Sequence, residues 1–174
     1  MQLTKINDIV NNNEDFEIHS LQLDFSFFFS HKYRNYLNFL QSHRDGGGKI
    51  FARLLLGKVL CLFLVKSSQI IGYCCLTKNY FGRYPFMGKT DWLVNPYFIA
   101  KEYRKRGLGT LLLRQSSNLI HDTLWAVVAR DNIASMKALG HAGFMTNNCV
   151  TTGWKHIPTP APTSLLLLKF TPAH

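Results

Sequence analysis

The most informative segment of the chain, residues 99–110, reads IAKEYRKRGLGT. It follows a predicted strand and opens a predicted helix, and the glycines at positions 107 and 109 allow the backbone to come close to a ligand. The first N–H groups of a helix have no partners within the helix, and the helix dipole adds positive potential there. Arg104, Lys105 and Arg106 contribute further positive charge. The segment therefore predicts a cradle for an anion such as a pyrophosphate.

Two familiar phosphate motifs do not fit this segment. A P-loop ends in Gly-Lys-Ser/Thr, whereas Gly109 is followed by Thr110. A dinucleotide fingerprint requires a third glycine or alanine at the position that Leu112 occupies. The pattern that fits is R-x-x-G-x-G, formed by Arg104, Gly107 and Gly109. With three fixed positions it recurs by chance, so it needs support from the rest of the chain.

The surrounding sequence predicts a mixed order of strands and helices. The predicted elements are strands at 59–65 and 70–76 joined by a turn at 66–69, a loop at 79–89, a strand at 91–100, a helix from about 109 to 121, a strand at 124–129, a helix at 132–142, and strands at 144–150 and 164–170. Pro96 requires a bulge or an edge position in its strand. Gly143 ends the second helix. The aromatic-rich segment 20–43 is interpreted as core packing or as one wall of a substrate pocket.

A second motif lies on the helix at 132–142. Asn132 follows a predicted strand, Ser135 stands three residues later, and Gly143-Phe144 closes the helix. With both motifs at this spacing, the chain resembles the GNAT superfamily of acetyl-CoA-dependent N-acetyltransferases. The resemblance covers about residues 59–170. It does not extend to residues 1–56, where such enzymes usually build acceptor specificity.

The resemblance implies an α/β (α+β) fold, with a mixed, mostly antiparallel central sheet flanked by helices and a V-shaped cofactor cleft. It implies a single domain over residues 1–174, with acceptor-side elements in 1–57 and an acetyl-CoA-binding core in 58–170. Acetyl-CoA would be the co-substrate, and a primary amine would attack the thioester directly in a ternary complex without a metal. The alternative is a degenerate GNAT fold that binds acyl-CoA without catalysis, as a sensor or interaction domain.

The resemblance also implies roles for individual residues. The backbone of Phe98, Ile99 and Ala100 would bond the pantetheine arm and polarise the thioester carbonyl. Asn132 would contact the pantetheine, with Ser135 nearby, although an asparagine there is also a plain helix cap. The pyrophosphate would be held by the basic loop, with Arg104 beside the N–H groups of Lys105, Arg106, Gly107, Leu108, Gly109 and Thr110. The alternative for the basic run is a solvated surface cluster.

The acid and the base are harder to assign. Many family members have a tyrosine seven residues after the asparagine that protonates the leaving thiolate, and here Leu139 stands at that position. Because residues seven apart lie on the same face of a helix, we expect Leu139 to share a face with Asn132 and a tyrosine to be tolerated at position 139. Tyr73, Tyr80 and Tyr97 are possible acids, without a ranking. Asp91 is the candidate base, and its alternative is a turn or surface aspartate. The seven histidines show no metal-ligand spacing, so each is interpreted as structural or exposed.

Composition narrows the function class. The chain has 174 residues, 47% of them hydrophobic, and a net charge of +10. The charge predicts an acidic partner, and a nucleic-acid-binding module is the alternative that charge alone suggests. Cys61, Cys74, Cys75 and Cys149 lack zinc spacing and are interpreted as free thiols. Neither a signal peptide nor a membrane span is predicted. We expect a cytoplasmic enzyme, monomeric or homodimeric, acting on a small-molecule or peptide amine, with neither nucleic acid nor membrane as a partner.

Overall fold

The computed structural model describes residues 5–6, 16–21, 34–43, 58–79, 82, 84–147 and 165–172. The described strands are β1 Lys5–Ile6, β2 Phe16–Leu21, β3 Val59–Lys66, β4 Gln69–Lys78, β5 Trp92–Ile99, β6 Leu124–Ala129, β7 Met145–Asn147 and β8 Leu165–Phe170. The described helices are α1 Arg34–His43, α2 Leu108–Leu119 and α3 Ile133–His141, and a 3-10 turn covers Lys101–Tyr103.

The strands form a mixed sheet in the order β1-β2-β3-β4-β5-β6-β8-β7. β2 pairs antiparallel with β1 and β3, and β8 pairs antiparallel with β6 and β7. β5 and β6 are parallel, with Trp92–Val94 opposite Leu124–Ala126. A parallel pair needs a crossover connection, and α2 lies in the chain between these two strands. The predicted mixed, mostly antiparallel sheet with helices is confirmed.

β3 and β4 form the predicted hairpin. Ser67 and Ser68 connect them, with φ of 48° and 66°. Two consecutive residues with positive φ are typical of the type I′ turn, whose twist matches that of the flanking strands. All seven residues of 59–65 are buried, which explains the uninterrupted apolar run of β3.

By its contacts the chain divides into two compact units. The N-terminal unit comprises residues 1–75 and 96–103, and the C-terminal unit comprises residues 76–95 and 104–174. In the N-terminal unit, side chains from α1, β3 and β4 form one apolar core. Its buried members are Leu40, Val59, Cys61, Phe63, Val65, Tyr73 and Cys75, with Tyr36, Phe39, Ile70 and Phe98 packed against them. Core packing, one of the two interpretations of segment 20–43, therefore holds for these α1 residues.

The C-terminal unit has a core of its own, which the loop before β5 covers. Met87, Leu93, Trp125 and Leu167 are buried together, and Tyr84 and Phe86 from the loop pack on them. The side chain of Asn79, which is 2% exposed, stabilises the loop through hydrogen bonds to its backbone. Its Nδ2 donates to the carbonyl oxygens of Tyr84 and Met87, both at 3.0 Å, and its Oδ1 accepts from the N–H of Tyr84 at 3.0 Å.

Pro96 interrupts neither the strand nor the sheet. β5 runs without a break from Trp92 to Ile99, and the sheet order places it between β4 and β6 rather than at an edge. Its ladder with β6 ends at Val94, two residues before the proline. The missing N–H of Pro96 therefore falls beyond that ladder, where no hydrogen bond to β6 is needed.

Element ends differ from the predictions by one or two residues. α2 begins at Leu108 and ends at Leu119, because Ile120 is already extended with φ −110° and ψ 115°. The end of the strand predicted at 144–150 lies outside the described residues, as does Cys149. Cys61, Cys74 and Cys75 are buried free thiols, as predicted, and the Sγ atoms of Cys61 and Cys75 lie 2.6 Å apart across the hairpin.

Candidate active site

The basic loop before α2 has the backbone shape of an anion cradle. Lys105 and Gly107 adopt left-handed conformations, with φ of 64° and 75°. The helix begins immediately afterwards, and its first backbone bond runs from the Leu111 N–H to the Gly107 oxygen, at 3.0 Å. The N–H groups of Leu108, Gly109 and Thr110 therefore precede the helical ladder. Successive backbone N–H groups beside a left-handed residue can form a concave nest that binds an anion.

The charge and burial of this loop also favour its interpretation as an anion cradle. Residues 104–107 are exposed, whereas Leu108 is 1% exposed and anchors the first turn of α2. The first turn of α2 contains no acidic residue that would oppose an anion. The helix dipole contributes about half a positive charge at this end. The loop is therefore held by a buried leucine and presents N–H groups and three basic side chains to solvent.

Gly107 leaves open space beside this loop. A Cβ atom built on it would have no other protein atom within 4 Å, so the glycine is not required by packing. Its positive φ favours glycine instead, because this conformation is strained for a residue with a Cβ. The same space beside the backbone is where a ligand can approach closely.

Asn132 caps α3 and is exposed. Its Oδ1 accepts from the Ser135 N–H at 3.1 Å, which is the cap role considered from the sequence. The guanidinium group of Arg114 on α2 donates to the carbonyl oxygen of His141 at the end of α3, at 2.8 Å from Nη2 and 3.2 Å from Nε. The structure thus brings the helices that carry the two sequence motifs together in the C-terminal unit.

Leu139 is the single buried residue of α3, with 3% exposure. Its carbonyl oxygen accepts the N–H groups of Ala142 and Phe144 at 3.0 Å each, so it lies where the helix ends. The sequence predicts that Leu139 and Asn132 share one helix face. Asn132 instead precedes the helix as its cap, and the two side chains have different environments.

The end of β5 belongs to the N-terminal unit. The Ala100 N–H donates to the Ile71 oxygen at 2.8 Å, so this amide is engaged by β4. Gly72 makes the close pairing possible, because a Cβ there would lie 2.6 Å from Ile99 Cδ1 and 2.9 Å from the Phe98 oxygen. Sequence reasoning missed this role, although a lone glycine in a strand often marks such a close approach.

Asp91 has the contacts of a turn aspartate. Its Oδ2 accepts from the Gly88 N–H and from the indole Nε1–H of Trp125, both at 2.8 Å. The carboxylate thereby joins the loop before β5 to β6 within the C-terminal unit. Its assignment as a general base stays a prediction. Of the possible tyrosine acids, Tyr73 is buried, Tyr97 is half-buried, and Tyr80 lies outside the described residues.

A cluster of Glu17, His19 and Tyr36 was missed by sequence reasoning. The two ring nitrogens of His19 bond to the other two side chains, Nε2 to Glu17 Oε2 at 2.8 Å and Nδ1 to Tyr36 Oη at 2.5 Å. Burial, and to a smaller extent the charge of Glu17, raises the pKa of Tyr36 above its ordinary value. The only sequence signal was the spacing of Glu17 and His19, two residues apart in a strand.

The described residues show two further features of the chain. They contain no group of three or more His, Cys, Asp or Glu side chains that could hold a metal ion. The helices among them are too short or too polar to cross a membrane.

Comparison with known structures shows the same fold in acetyltransferases. The GNAT domain of S. lividans PAT aligns with a TM-score of 0.66 at 12% identity, covering 95% of this chain and 96% of that one. An acetyltransferase of Bacillus subtilis, solved with CoA, aligns at 0.57 and 12% identity, covering 91% and 100%. The spermidine N-acetyltransferase of Vibrio cholerae, solved with CoA and spermine, aligns at 0.56 and 12% identity, covering 88% and 94%.

Sequence comparison identifies the family. No curated protein matches the chain significantly. The model of the acetyltransferase (GNAT) family matches residues 17–144, a span that includes all but the first residue of β2, both sequence motifs and parts of both units. Because that match extends over more than half of the chain, the chain belongs to the acetyltransferase (GNAT) family.

Proposed function

We propose that this chain is an acetyl-CoA-dependent N-acetyltransferase that transfers the acetyl group directly to a primary amine in a ternary complex. The observation that carries the proposal is the exposed loop at the start of α2, in which Lys105 and Gly107 are left-handed and the first helical N–H groups precede the ladder. We further propose that residues 1–174 act as one acetyltransferase domain. The family match, which includes parts of both units, supports this.

In this proposal the basic loop binds the pyrophosphate of CoA. The N–H groups of residues 105–110 donate to phosphate oxygens, and the basic side chains at 104–106 add charge that the ligand neutralises. Asn132 contacts the pantetheine arm through its amide nitrogen, which its cap bond leaves available because Oδ1 alone makes that bond. The CoA bound to the Bacillus subtilis protein is consistent with this use of the fold.

The end of β5 positions the thioester in this proposal. The backbone of Phe98, Ile99 and Ala100 is proposed to contact the pantetheine arm, and the N–H of Ala100 also donates to the Ile71 oxygen at 2.8 Å. A backbone donor aimed at the thioester oxygen would stabilise the oxyanion that forms when the amine attacks. Positioning and this polarisation are the main contributions of the protein, because no covalent enzyme intermediate is needed.

The leaving group needs little help from an acid. Leu139 has no proton to donate, but a thiol with a pKa of about 8.5 is already a tolerable leaving group at neutral pH. General acid catalysis is typically a factor of about 10²–10⁴ rather than the whole rate. The leucine is therefore compatible with turnover.

The acceptor in this proposal is a small-molecule or peptide amine. The Vibrio cholerae structure, in complex with CoA and spermine, is one example of an amine bound by a protein of this fold. Amino sugars, polyamines, amino acids and peptide N-termini form the panel to be tested.

Two measurements test the proposal. CoA is first titrated by calorimetry, and free thiol release from acetyl-CoA is then followed over the amine panel. We expect CoA binding and amine-dependent thiol release with an acetylated amine identified by mass spectrometry. CoA binding without acetylation of any amine would contradict the transferase proposal, and absence of CoA binding would contradict the cofactor site.

A further inference from the structure

The hairpin of β3 and β4 holds two thiol groups against each other. Cys61 on β3 and Cys75 on β4 are 14 residues apart in the chain, and their Sγ atoms are 2.6 Å apart. Both cysteines are free thiols, and both residues have 0% exposure. The two sulfur atoms therefore face each other at a place that solvent does not reach.

The separation of the two strands suits a covalent bond between these sulfur atoms. Neighbouring strands of a sheet lie about 4.7–4.9 Å apart, and disulfides join residues whose Cα atoms are about 4.4–6.8 Å apart. An S–S bond is about 2.05 Å long, so the two Sγ atoms need to approach by only about half an ångström. The hairpin can therefore accept a disulfide here without a change in strand pairing.

A third cysteine on β4 provides a comparison within the same strand. Cys74 is the neighbour of Cys75 in the chain and is equally buried. Successive side chains of a strand project to opposite faces. Cys61 and Cys75 belong to the same core cluster, and Cys74 is not a member of that cluster. The fold therefore selects Cys75, rather than Cys74, as the partner of Cys61.

The core around the two thiols determines when they can react. Leu40 of α1 is buried in the same cluster, and Tyr36 and Phe39 of α1 pack against it. A thiol reacts as its thiolate and must meet the oxidant, so a thiol enclosed in an apolar core is inert. Oxidation therefore occurs before α1 packs on the hairpin or while it is locally open, and closure then protects the product from reductants.

We propose that Cys61 and Cys75 are a site of reversible oxidation, at which an intrachain disulfide joins β3 to β4. The oxidant is a low-molecular-weight disulfide such as oxidised glutathione. One cysteine thiolate attacks it and releases one reduced glutathione, and the second cysteine thiolate then attacks the mixed disulfide and releases the other. The two cysteines lose two electrons and two protons, which the two glutathione thiols gain. The bond closes the hairpin loop and thereby restricts the unfolded chain, so the oxidised protein is the more stable form.

The test uses the full chain with Cys149→Ser, which leaves the three cysteines of the hairpin. The protein is refolded from urea either in a glutathione redox buffer or in excess reductant, and its free thiols are then alkylated and mapped by mass spectrometry. We expect a Cys61–Cys75 disulfide in the redox buffer, with Cys74 as the alkylated thiol, and a melting temperature about 5–10 °C above that of the reduced sample. Folded, reduced protein exposed to oxidised glutathione should form the same bond slowly, and faster as urea is raised below the unfolding midpoint.

Matched controls are Cys74→Ala and Cys75→Ala in the same background. The first should retain the disulfide and the rise in melting temperature, and the second should lose both, although Cys61 and Cys74 remain. A disulfide between Cys61 and Cys74, no disulfide after refolding, or an oxidised form that melts below the reduced one would overturn the proposal. The mapping of the parent protein decides by itself if a control variant does not fold, because it shows which cysteine stays free.

Discussion

Gly107 shows how one backbone angle shapes the loop that we propose binds CoA. Its φ of 75° is readily accessible to glycine and strained for other residues, and no other protein atom lies within 4 Å of a Cβ built there. Packing therefore does not explain the glycine, whereas its positive φ does. Gly82 offers a direct comparison, because it also has a positive φ, of 60°, and equally open surroundings.

Replacing Gly107 with valine should weaken CoA binding at least tenfold, because the side chain would occupy the space beside the N–H groups and strain the left-handed backbone. Calorimetry with CoA measures the change. Gly82→Val carries the same backbone strain away from the proposed cradle and should leave CoA affinity unaltered. Equal affinities of a folded Gly107→Val variant and wild type would contradict the pyrophosphate assignment.

Leu139 is the residue at which the structure changes an expectation from sequence. Position alone predicts that a tyrosine is tolerated there. Because Leu139 is 3% exposed, Leu139→Tyr should overpack its surroundings and lower the free energy of unfolding by about 1–3 kcal/mol. Denaturant melts measure this. A stable variant with faster turnover and a new basic limb in its pH profile would show that position 139 opens toward the thiolate after all.

Asn132 has an observed structural role as the cap of α3 and a proposed role in binding CoA, and different substitutions distinguish the two roles. Asn132→Ala removes the bond from Oδ1 to the Ser135 N–H and should lower stability by about 1 kcal/mol. Asn118→Ala, at an exposed site on α2, should not, because alanine favours the helix. Asn132→Asp keeps the cap but loses the amide donor. If Asn132→Asp is stable and binds CoA as wild type does, Asn132 is only a cap.

Local patterns were sufficient to predict most of the elements from β3 onward. The helix α2, the hairpin of β3 and β4, and both glycine-containing motifs are recognised from residues close in sequence. The signal for α2 is the helical spacing of its leucines at positions 108, 111, 112 and 119. The cluster of Glu17, His19 and Tyr36 could not be predicted in this way, because Tyr36 is 17 residues from His19 and contacts it only after α1 packs on the sheet. The turn that Asp91 holds also depends on Trp125, which is 34 residues away.

At the scale of the whole molecule, family membership narrows the set of ligands that the net charge allows. A net charge of +10 by itself suits nucleic acid, lipid or a phosphorylated cofactor. Membership of the acetyltransferase (GNAT) family favours the last of these. The acceptor is not predictable from charge, because its recognition depends on residues that the two motifs do not include.

CoA affinity should fall as the salt concentration rises, because exposed charges at 104–106 are screened beyond about 8–10 Å at ordinary ionic strength. Pantetheine, which lacks the phosphates, should bind with little dependence on salt.

Lys105→Asn removes one charge with a residue that tolerates the left-handed backbone. It should weaken CoA binding about two- to fivefold at low salt, in the range of an exposed ion pair, and little at high salt. Lys89→Gln removes an exposed charge elsewhere in the same unit. This control should leave CoA affinity unchanged at both low and high salt. If CoA affinity is independent of salt, or both lysine variants behave alike, the basic run is a solvated cluster and the phosphates bind elsewhere.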